Sequence, residues 1–258
     1  MLIDSHCHLP HKKYDKSVED ILSEAKSFGV EKVIDIGTSL EESRKVIDLA
    51  NKYPEIFCSI GIYPHENRNK TLNELQKSLE EILTKSPKII GIGECGIDIS
   101  NWKGGRSLED QIDVFERQVK FAKKHNFPII IHNRNGDEHV LNILKQNHDS
   151  KLKGVIHCFD SDWDFAKKVL DLGFYISFTN MVTYKNKDKL LKVVEKVPED
   201  KFLVETDAPY LPPQQFRGEI NYPKYVKMVA EKVAQVKQKT FEEISELSYR
   251  NTCSLFNL

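Results

Sequence analysis

The chain contains few cysteines and has a net charge close to zero. Only five of its 258 residues are cysteines, and no two of them form a Cys-x-x-Cys pair. An odd number of scattered cysteines argues against a disulfide framework, and the missing pair argues against a structural zinc knuckle. The formal net charge of −1 at pH 7 provides no global field that would favour nucleic acid. We therefore expect reduced, mostly buried thiols and no partner selected by overall charge.

The chain also lacks long apolar runs and segments of biased composition. Met1 leads directly into Leu2-Ile3-Asp4, without the basic and apolar stretches of a signal peptide or a membrane span. This pattern predicts a cytoplasmic protein with no membrane partner. A hydrophobic content of 40% and a charged content of 30% are typical of a globular protein. Because barrels of alternating strands and helices commonly reach this size as one domain, we predict a single domain over residues 1–258.

Short β-branched runs alternate with longer segments of helical periodicity. The runs near 3–8, 33–37, 57–62, 89–94, 128–131, 154–156, 174–178 and 202–204 predict eight strands. The segments near 21–28, 46–53, 72–83, 112–122, 138–147, 163–172, 190–197, 223–237 and 241–255 predict helices. Regular alternation indicates parallel strands joined by helical crossovers. We predict an α/β fold, a (β/α)₈ TIM-type barrel with an extra C-terminal helix, and the alternative is an open doubly wound sheet.

Five of the apolar runs lead into side chains that can bind a divalent metal ion. These side chains are His6, His8, Glu94, His132, His157 and Asp207. Parallel strands of a barrel place their last residues at one mouth, so distant segments can converge on one ion or two. Mixed nitrogen and oxygen ligands are compatible with Zn, Mn or, less well, Mg. We predict two divalent ions with Glu94 as a bridge.

Some of these side chains indicate a metal site more strongly than others. His6 and His8 are two residues apart, so on a strand both imidazoles point to one face and can bind the same cation. A carboxylate such as Glu94 after a fully apolar run is costly unless a positive charge pairs with it. Asp207 could instead cap the following loop. His132 and His157, each taken singly, could be structural histidines. Because all six occur together, we favour the metal site.

The same residues predict a hydrolytic mechanism. Metal ions polarise a bound ester or phosphate and lower the pKa of bound water. We assign catalytic roles to Asp207, as the proton acceptor, and to Glu94. Glu205 lies two residues before Asp207 and hence on the same face but deeper, which predicts that it supports the metal ligands without binding the metal.

Three basic residues at the predicted mouth are candidates for substrate binding. His65, Arg134 and Arg217 fall on predicted loops, where they could hold phosphate oxygens. The alternative for each is a solvated surface position. Trp102 and Tyr210 could stack a base, or could cover the end of the barrel.

A second motif indicates a different chemistry. Gly91–Gly96 satisfies the G-x-G-x-x-G pattern of dinucleotide-binding proteins directly after a predicted strand. That pattern requires a helix at its end to meet the pyrophosphate, and the sequence from Ile97 to Trp102 does not predict one. We therefore expect no nucleotide cofactor, and we interpret the glycines as allowing the backbone to bend around the ion site.

Five motifs together resemble the TatD family of metal-dependent deoxyribonucleases. They are Asp4–Leu9, Gly93–Asp98, Pro128–Arg134, Gly154–Phe159 and Glu205–Leu211. The resemblance spans nearly the whole chain, and it implies a TIM-type barrel, the same six metal ligands and DNA as the substrate. Family members commonly have His at the position of Tyr63 and Asp at that of Asn135, and the segment 216–223 also differs. These departures concern substrate preference more than metal binding.

The sequence therefore predicts a metal-dependent hydrolase that cleaves DNA phosphodiester bonds, exonucleolytically, with water activated by two metal ions. One alternative is an amidohydrolase that cleaves a C–N or carboxylic ester bond. Such enzymes often bridge their metals with a modified lysine on the fourth strand, but here that strand leads into Glu94 and Lys88 lies at its start. A binding module with a structural metal is the third reading. The sequence does not indicate an oligomeric state.

Overall fold

The computed structural model describes residues 1–258 as eight strands and nine α-helices. The strands are β1 Leu2–Cys7, β2 Val30–Ile36, β3 Ile56–Ile60, β4 Ile89–Asp98, β5 Ile129–Arg134, β6 Gly154–Ile156, β7 Tyr175–Phe178 and β8 Phe202–Val204. The helices are α1 Val18–Ser27, α2 Leu40–Lys52, α3 Leu72–Leu83, α4 Leu108–His125, α5 Asp137–Asn147, α6 Trp163–Asp171, α7 Asp188–Lys196, α8 Val226–Lys237 and α9 Phe241–Phe256. None of the nine is both long and apolar enough to cross a membrane.

The strands lie in one sheet in chain order, β1 to β8. The pairs β1–β2, β3–β4, β4–β5, β5–β6 and β7–β8 are parallel. A helix follows each strand, as parallel crossovers require. This order, with α9 added at the end, confirms the predicted class of a (β/α)₈ barrel with an extra C-terminal helix.

The chain divides into two compact units. The first unit comprises Met1–Asp35, Cys158–Leu170 and Tyr175–Leu258, and the second comprises Ile36–His157 and Asp171–Phe174. The single domain over residues 1–258 stays a prediction.

In the first unit, the segment after β8 is fixed to β1 by a buried carboxyl group. Asp4 accepts hydrogen bonds from the backbone N–H and the hydroxyl of Thr206, at 2.9 and 2.6 Å. Burial raises the pKa of Asp4 to about 8, although the hydrogen bonds from Thr206 oppose this shift. The Ser5 hydroxyl also donates to the Val204 carbonyl at 3.0 Å. These bonds place the residues that follow β8 beside those that end β1.

In the second unit, α4 holds the ends of two strands through its glutamines. Ser107 caps this helix by accepting a hydrogen bond from the Asp110 N–H at 3.1 Å. Gln111 accepts from the Asp98 N–H at 2.8 Å and donates to the Asp98 carbonyl at 3.2 Å. About two turns further along the same face of α4, Gln118 makes the same pair of bonds with the backbone of Ile62, at 2.8 and 3.0 Å. The segments after β3 and β4 are therefore fixed against the same helix.

Two strands run further than the apolar pattern predicts. The sequence predicts that β4 ends at Glu94 and that β5 ends near residue 131, but parallel pairing continues to the partners Asp98 and Arg134. Gly96, with a φ of 147°, lies within this extension, in a conformation that side chains rarely adopt. Arg134 is thus the last residue of a strand, and its predicted position on a loop is wrong. Because β4 extends to Asp98, the connection between β4 and α4 comprises only residues 99–107.

Candidate metal centre

The first unit brings together two histidines and a carboxylate, here called the first cluster: His6, His8 and Asp207. Asp207 Oδ1 lies 3.3 Å from His8 Nε2 and 3.7 Å from His6 Nε2. The His6 side chain is fully buried, while those of His8 and Asp207 are 12% and 15% exposed. The cluster therefore has a buried side and an open side.

Backbone hydrogen bonds position the first cluster. The Asp207 N–H donates to the His6 carbonyl at 2.9 Å, and the His8 N–H donates to the Ala208 carbonyl at 2.8 Å. His6 and His8 share a face because they are two residues apart at the end of β1, as predicted. Asp207 has a φ of 56°, so the chain turns there. Its carboxylate faces the histidines, which argues against the alternative role as a loop cap.

The second unit brings together Glu94, His132 and His157, here called the second cluster. Glu94 Oε1 lies 2.9 Å from His132 Nδ1 and 3.0 Å from His157 Nε2, and these two nitrogens are 3.2 Å apart. Glu94 comes from β4, His132 from β5, and His157 directly follows β6. Three neighbouring parallel strands thus supply the three donor atoms, as the strand-end argument predicts.

Both clusters fit a divalent cation. An ion with bonds of about 2.0–2.2 Å to three of its tetrahedral ligands separates those ligand atoms by about 3.4 Å. In the two clusters, the distances from the Asp207 and Glu94 oxygens to the histidine nitrogens are 2.9–3.7 Å. Imidazole nitrogens and carboxylate oxygens are also the donors that zinc and manganese accept. The two clusters together contain all six predicted ligands, three in each unit.

The remaining nitrogen of the His132 ring faces away from Glu94, toward Tyr63 and Asp98. The Tyr63 hydroxyl donates to Asp98 Oδ2 at 2.5 Å and lies 3.3 Å from His132 Nε2. Because the Tyr63 proton is directed to Asp98, the tyrosine oxygen can accept a hydrogen bond from the Nε2–H of His132, which leaves the Nδ1 lone pair for a metal. Burial would raise the pKa of Asp98, but the hydrogen bonds that it accepts hold it below the usual range. A negative Asp98 thus stabilises this arrangement.

The pKa of His132 depends on both neighbouring carboxylates, Asp98 and Glu94. Burial lowers its pKa, but the hydrogen bonds with Asp98 and Glu94 raise it by more, so that the net pKa is above the ordinary value. The site therefore favours positive charge at the point where His132 and Glu94 meet. A bound divalent cation would supply such a charge.

Sequence reasoning did not assign roles to Tyr63 and Asp98. A signal for Asp98 was present, because it lies four residues after Glu94 and an even spacing on a strand keeps two side chains on one face. It was missed because the strand was expected to end at Glu94. Tyr63 was noted only as a departure from the family pattern, and its hydroxyl contact to His132 depends on tertiary structure.

Glu205 is buried within the first unit, and both of its carboxylate oxygens accept hydrogen bonds. Its Oε1 accepts a hydrogen bond from the Cys158 N–H at 2.7 Å, and its Oε2 accepts one from the Ser177 hydroxyl at 2.6 Å. These contacts fix the backbone of the segment that begins at Cys158. Its predicted role in supporting the metal ligands stays a prediction.

The three predicted substrate-binding residues have different environments. His65 is buried, and its Nδ1 accepts a hydrogen bond from the Arg106 N–H at 3.2 Å. Arg134 is exposed at the end of β5. Arg217 is exposed in the first unit, and its guanidinium lies 4.5 Å from the ring centroid of Tyr184. Their roles in substrate binding stay predictions.

Comparison with known proteins shows one family over almost the entire chain. The family described as TatD related DNase matches residues 3–257. YabD of Bacillus subtilis strain 168, described as an uncharacterized metal-dependent hydrolase, is 37% identical over 258 residues that cover 100% of both chains. YcfH of Escherichia coli K12 has the same description and is 33% identical over 261 residues, covering 100% of this chain and 96% of its own.

A solved structure has the same fold. The crystal structure of YjjV, a TatD homologue from Escherichia coli K12, matches with a TM-score of 0.92 at 28% sequence identity. The match covers 100% of this chain and 98% of YjjV. It agrees with the fold class derived above from the strand order.

Proposed function

Since the chain belongs to the TatD-related DNase family and is thus a metal-dependent hydrolase, we propose that it is a deoxyribonuclease that removes nucleotides from DNA ends. The observation that carries this proposal is the pair of clusters, each with two histidines and one carboxylate. Two divalent ions, of Zn, Mn or Mg, would be held there. Such ions supply Lewis-acid stabilisation of phosphoryl oxygens and lower the pKa of water.

The residues of this chain have separable tasks in the proposed reaction. The first cluster would hold one ion through His6 and His8, and the second would hold another through His132 and His157. Asp207 is partly exposed, so its carboxylate can accept the proton of an attacking water. Glu94 is buried against two imidazoles, which suits a ligand that would fix the position of the ion in the second cluster.

The position of Lys88 favours phosphodiester chemistry over the amidohydrolase alternative. The Lys88 ammonium donates to the carbonyls of Tyr53 and Ile56, at 2.6 and 3.1 Å, directly before β4 begins. It is therefore engaged away from the second cluster, to which β4 contributes Glu94 instead. A metal-bridging modified lysine on this strand has no candidate.

The proposal is tested with metal-loaded protein and end-labelled single- and double-stranded DNA, beside panels of acyl and amide substrates. We expect stepwise release of mononucleotides from DNA. Asp207→Asn should lower kcat about 100-fold or more, because it removes the proton acceptor and a charged ligand atom. Asp200→Asn makes the same change at an exposed position of the same unit and should leave the rate unchanged.

Three results would argue against the proposal. Turnover of amides or esters without DNA cleavage would favour the amidohydrolase alternative. DNA cleavage that survives Asp207→Asn would indicate a contaminating nuclease or a different site. Internal cuts in circular DNA would retain the nuclease activity but exclude action from strand ends.

A further inference from the structure

The connection between β4 and α4 carries an exposed tryptophan near the second cluster. The Trp102 side chain is 51% exposed, which is unusual for the largest apolar residue. Its ring stacks on His65, with centroids 5.0 Å apart and planes 24° apart. Tyr63 contacts both rings, and its own ring centroid lies 4.8 Å from that of the metal-ligand candidate His132. An aromatic surface thus begins one ring away from the proposed reaction site.

This aromatic surface is held in place before any ligand arrives. The Arg106 guanidinium donates to the carbonyls of Glu66 and Asn67, both at 2.9 Å, and so joins the segment after β4 to the segment after β3. Gly105 lies so close to His65 that an added Cβ would overlap the imidazole ring. A preformed stack loses little conformational entropy on binding.

The His65 ring beneath Trp102 is held by hydrogen bonds on its protein side. Because Nδ1 accepts the Arg106 N–H, the neutral ring carries its proton on Nε2. Burial lowers the pKa of His65, which keeps the ring neutral. The residue is only 6% exposed, its Nε2 is buried, and a hydrogen bond with the Asp98 backbone opposes the effect of burial on its pKa. A bound ligand cannot reach this buried nitrogen, so His65 serves as the rigid ring on which Trp102 is stacked.

We propose that Trp102 forms a nucleotide subsite, in which a DNA base stacks on the exposed Trp102 ring while His65 supports that ring from the protein side. The subsite rests on the proposed deoxyribonuclease function and names the part of the substrate that is recognised. Every base presents a π face, so stacking on Trp102 holds the strand without selecting a sequence. The Arg68 guanidinium, close to Gly104, adds positive charge beside the stack.

The chain contains two tryptophans, which makes the subsite directly observable. In a Trp163→Phe background, Trp102 is the sole tryptophan fluorophore. Metal-loaded protein is titrated with a phosphorothioate oligothymidylate that resists cleavage, and with an abasic oligomer of the same length and charge. We expect the oligothymidylate to quench the fluorescence and the abasic oligomer to bind with little quenching.

Binding and turnover measurements on variants complete the test. In the native background, Trp102→Ala should raise the Kd for the oligothymidylate about tenfold, the loss expected for one stacked base, while Trp102→Phe retains most of the affinity. With unmodified DNA, Trp102→Ala should raise KM and leave kcat nearly unchanged. Because Trp102 is exposed, the variants should fold normally, and their melting temperatures check this.

The subsite is overturned if Trp102→Ala leaves the Kd unchanged, or if the abasic oligomer binds and quenches equally well. DNA cleavage with native KM in Trp102→Ala would likewise overturn the subsite while leaving the nuclease proposal intact. Trp102-dependent binding without any cleavage of unmodified DNA would support the subsite and reject the nuclease function.

Discussion

At the residue scale, the chemistry of the second cluster depends on which nitrogen of His132 carries the proton. Tyr63 and Asp98 occupy the Nε2 side, while Glu94 and His157 occupy the Nδ1 side. A carboxylate on the far side of a metal-binding imidazole fixes its tautomer and increases its basicity. The metal affinity of the cluster should therefore depend on a residue that does not touch the metal.

We expect Asp98→Asn to weaken metal binding at the second cluster by about 10- to 100-fold, because the amide cannot attract the His132 Nε2 proton as a carboxylate does. Titration against a chromophoric chelator measures the affinity. Asp113→Asn, on the exposed face of α4 in the same unit, is the matched control and should bind metal normally. An unchanged affinity in Asp98→Asn would refute the orienting role.

The predicted side chains that the structure brings together are those whose placement follows from strand ends, although their role as metal ligands stays a prediction. His6, His8, Glu94, His132, His157 and Asp207 all fall into clusters that can hold a metal. Tyr63 and Asp98 were missed because their roles arise from contacts between separate segments of the second unit. The same limit applies to His65, for which the sequence indicated a loop cation but the structure shows a buried neutral ring.

At the element scale, β4 shows what a glycine pattern does in this fold. Gly93 and Gly96 have φ values of 134° and 147°. A Cβ on Gly96 would overlap the carbonyl oxygen of His132 on the neighbouring strand. The glycines therefore allow β4 to approach β5 closely beside Glu94 and His132 of the second cluster, as the interpretation of the G-x-G-x-x-G motif requires, and no helix begins there.

Replacement of Gly96 by Ala should be strongly destabilising. The matched control is Gly29→Ala, because Gly29 also has a positive φ of 84° but an added Cβ would meet nothing within 4 Å. We expect Gly29→Ala to cost about 1–2 kcal/mol for its backbone conformation. Gly96→Ala should cost about 1–3 kcal/mol more, from the steric overlap. Urea unfolding of both variants measures the difference, and equal costs would contradict the close-approach argument.

Apolar periodicity predicted the helices and the short buried strands better than the long strand. The predicted bounds of α3, β6 and β8 agree with the structure residue by residue. Those segments are bounded by polar or turn-forming residues that stop the pattern. In β4 the apolar run stops at Glu94 but the backbone pairing continues, because the polar side chains beyond it are buried around the site.

At the scale of the whole molecule, each compact unit contributes one cluster. A ligand that binds only the folded state stabilises it according to its concentration relative to Kd. Metal ions should therefore stabilise the chain through two sites whose ligand sets share no residue. The sequence predicted the residues of both clusters but not this division, since apolar patterning does not show where a fold separates into units.

Zinc or manganese at about 100 times the Kd of each cluster should raise the melting temperature by about 10–20 °C over chelator-treated protein, the shift expected from about 2.7 kcal/mol at each of two sites in a chain of this size. His132→Ala and His8→Ala should each remove part of the shift, and the double variant should remove nearly all of it. His139→Ala, a partly exposed histidine of α5, is the control. A full shift in the double variant would rule out both clusters as metal sites.

The bonds between Asp4 and Thr206 join positions 202 residues apart. During synthesis at about 5–20 residues per second, the ribosome adds His157, which completes the second cluster, about 50 residues before it adds Asp207. The nascent chain can thus assemble one metal-binding group several seconds before the other exists. The first cluster needs Asp207 as well as the histidines at the start of the chain, so it is the last to form. Every translation product that stops short of residue 207 lacks it.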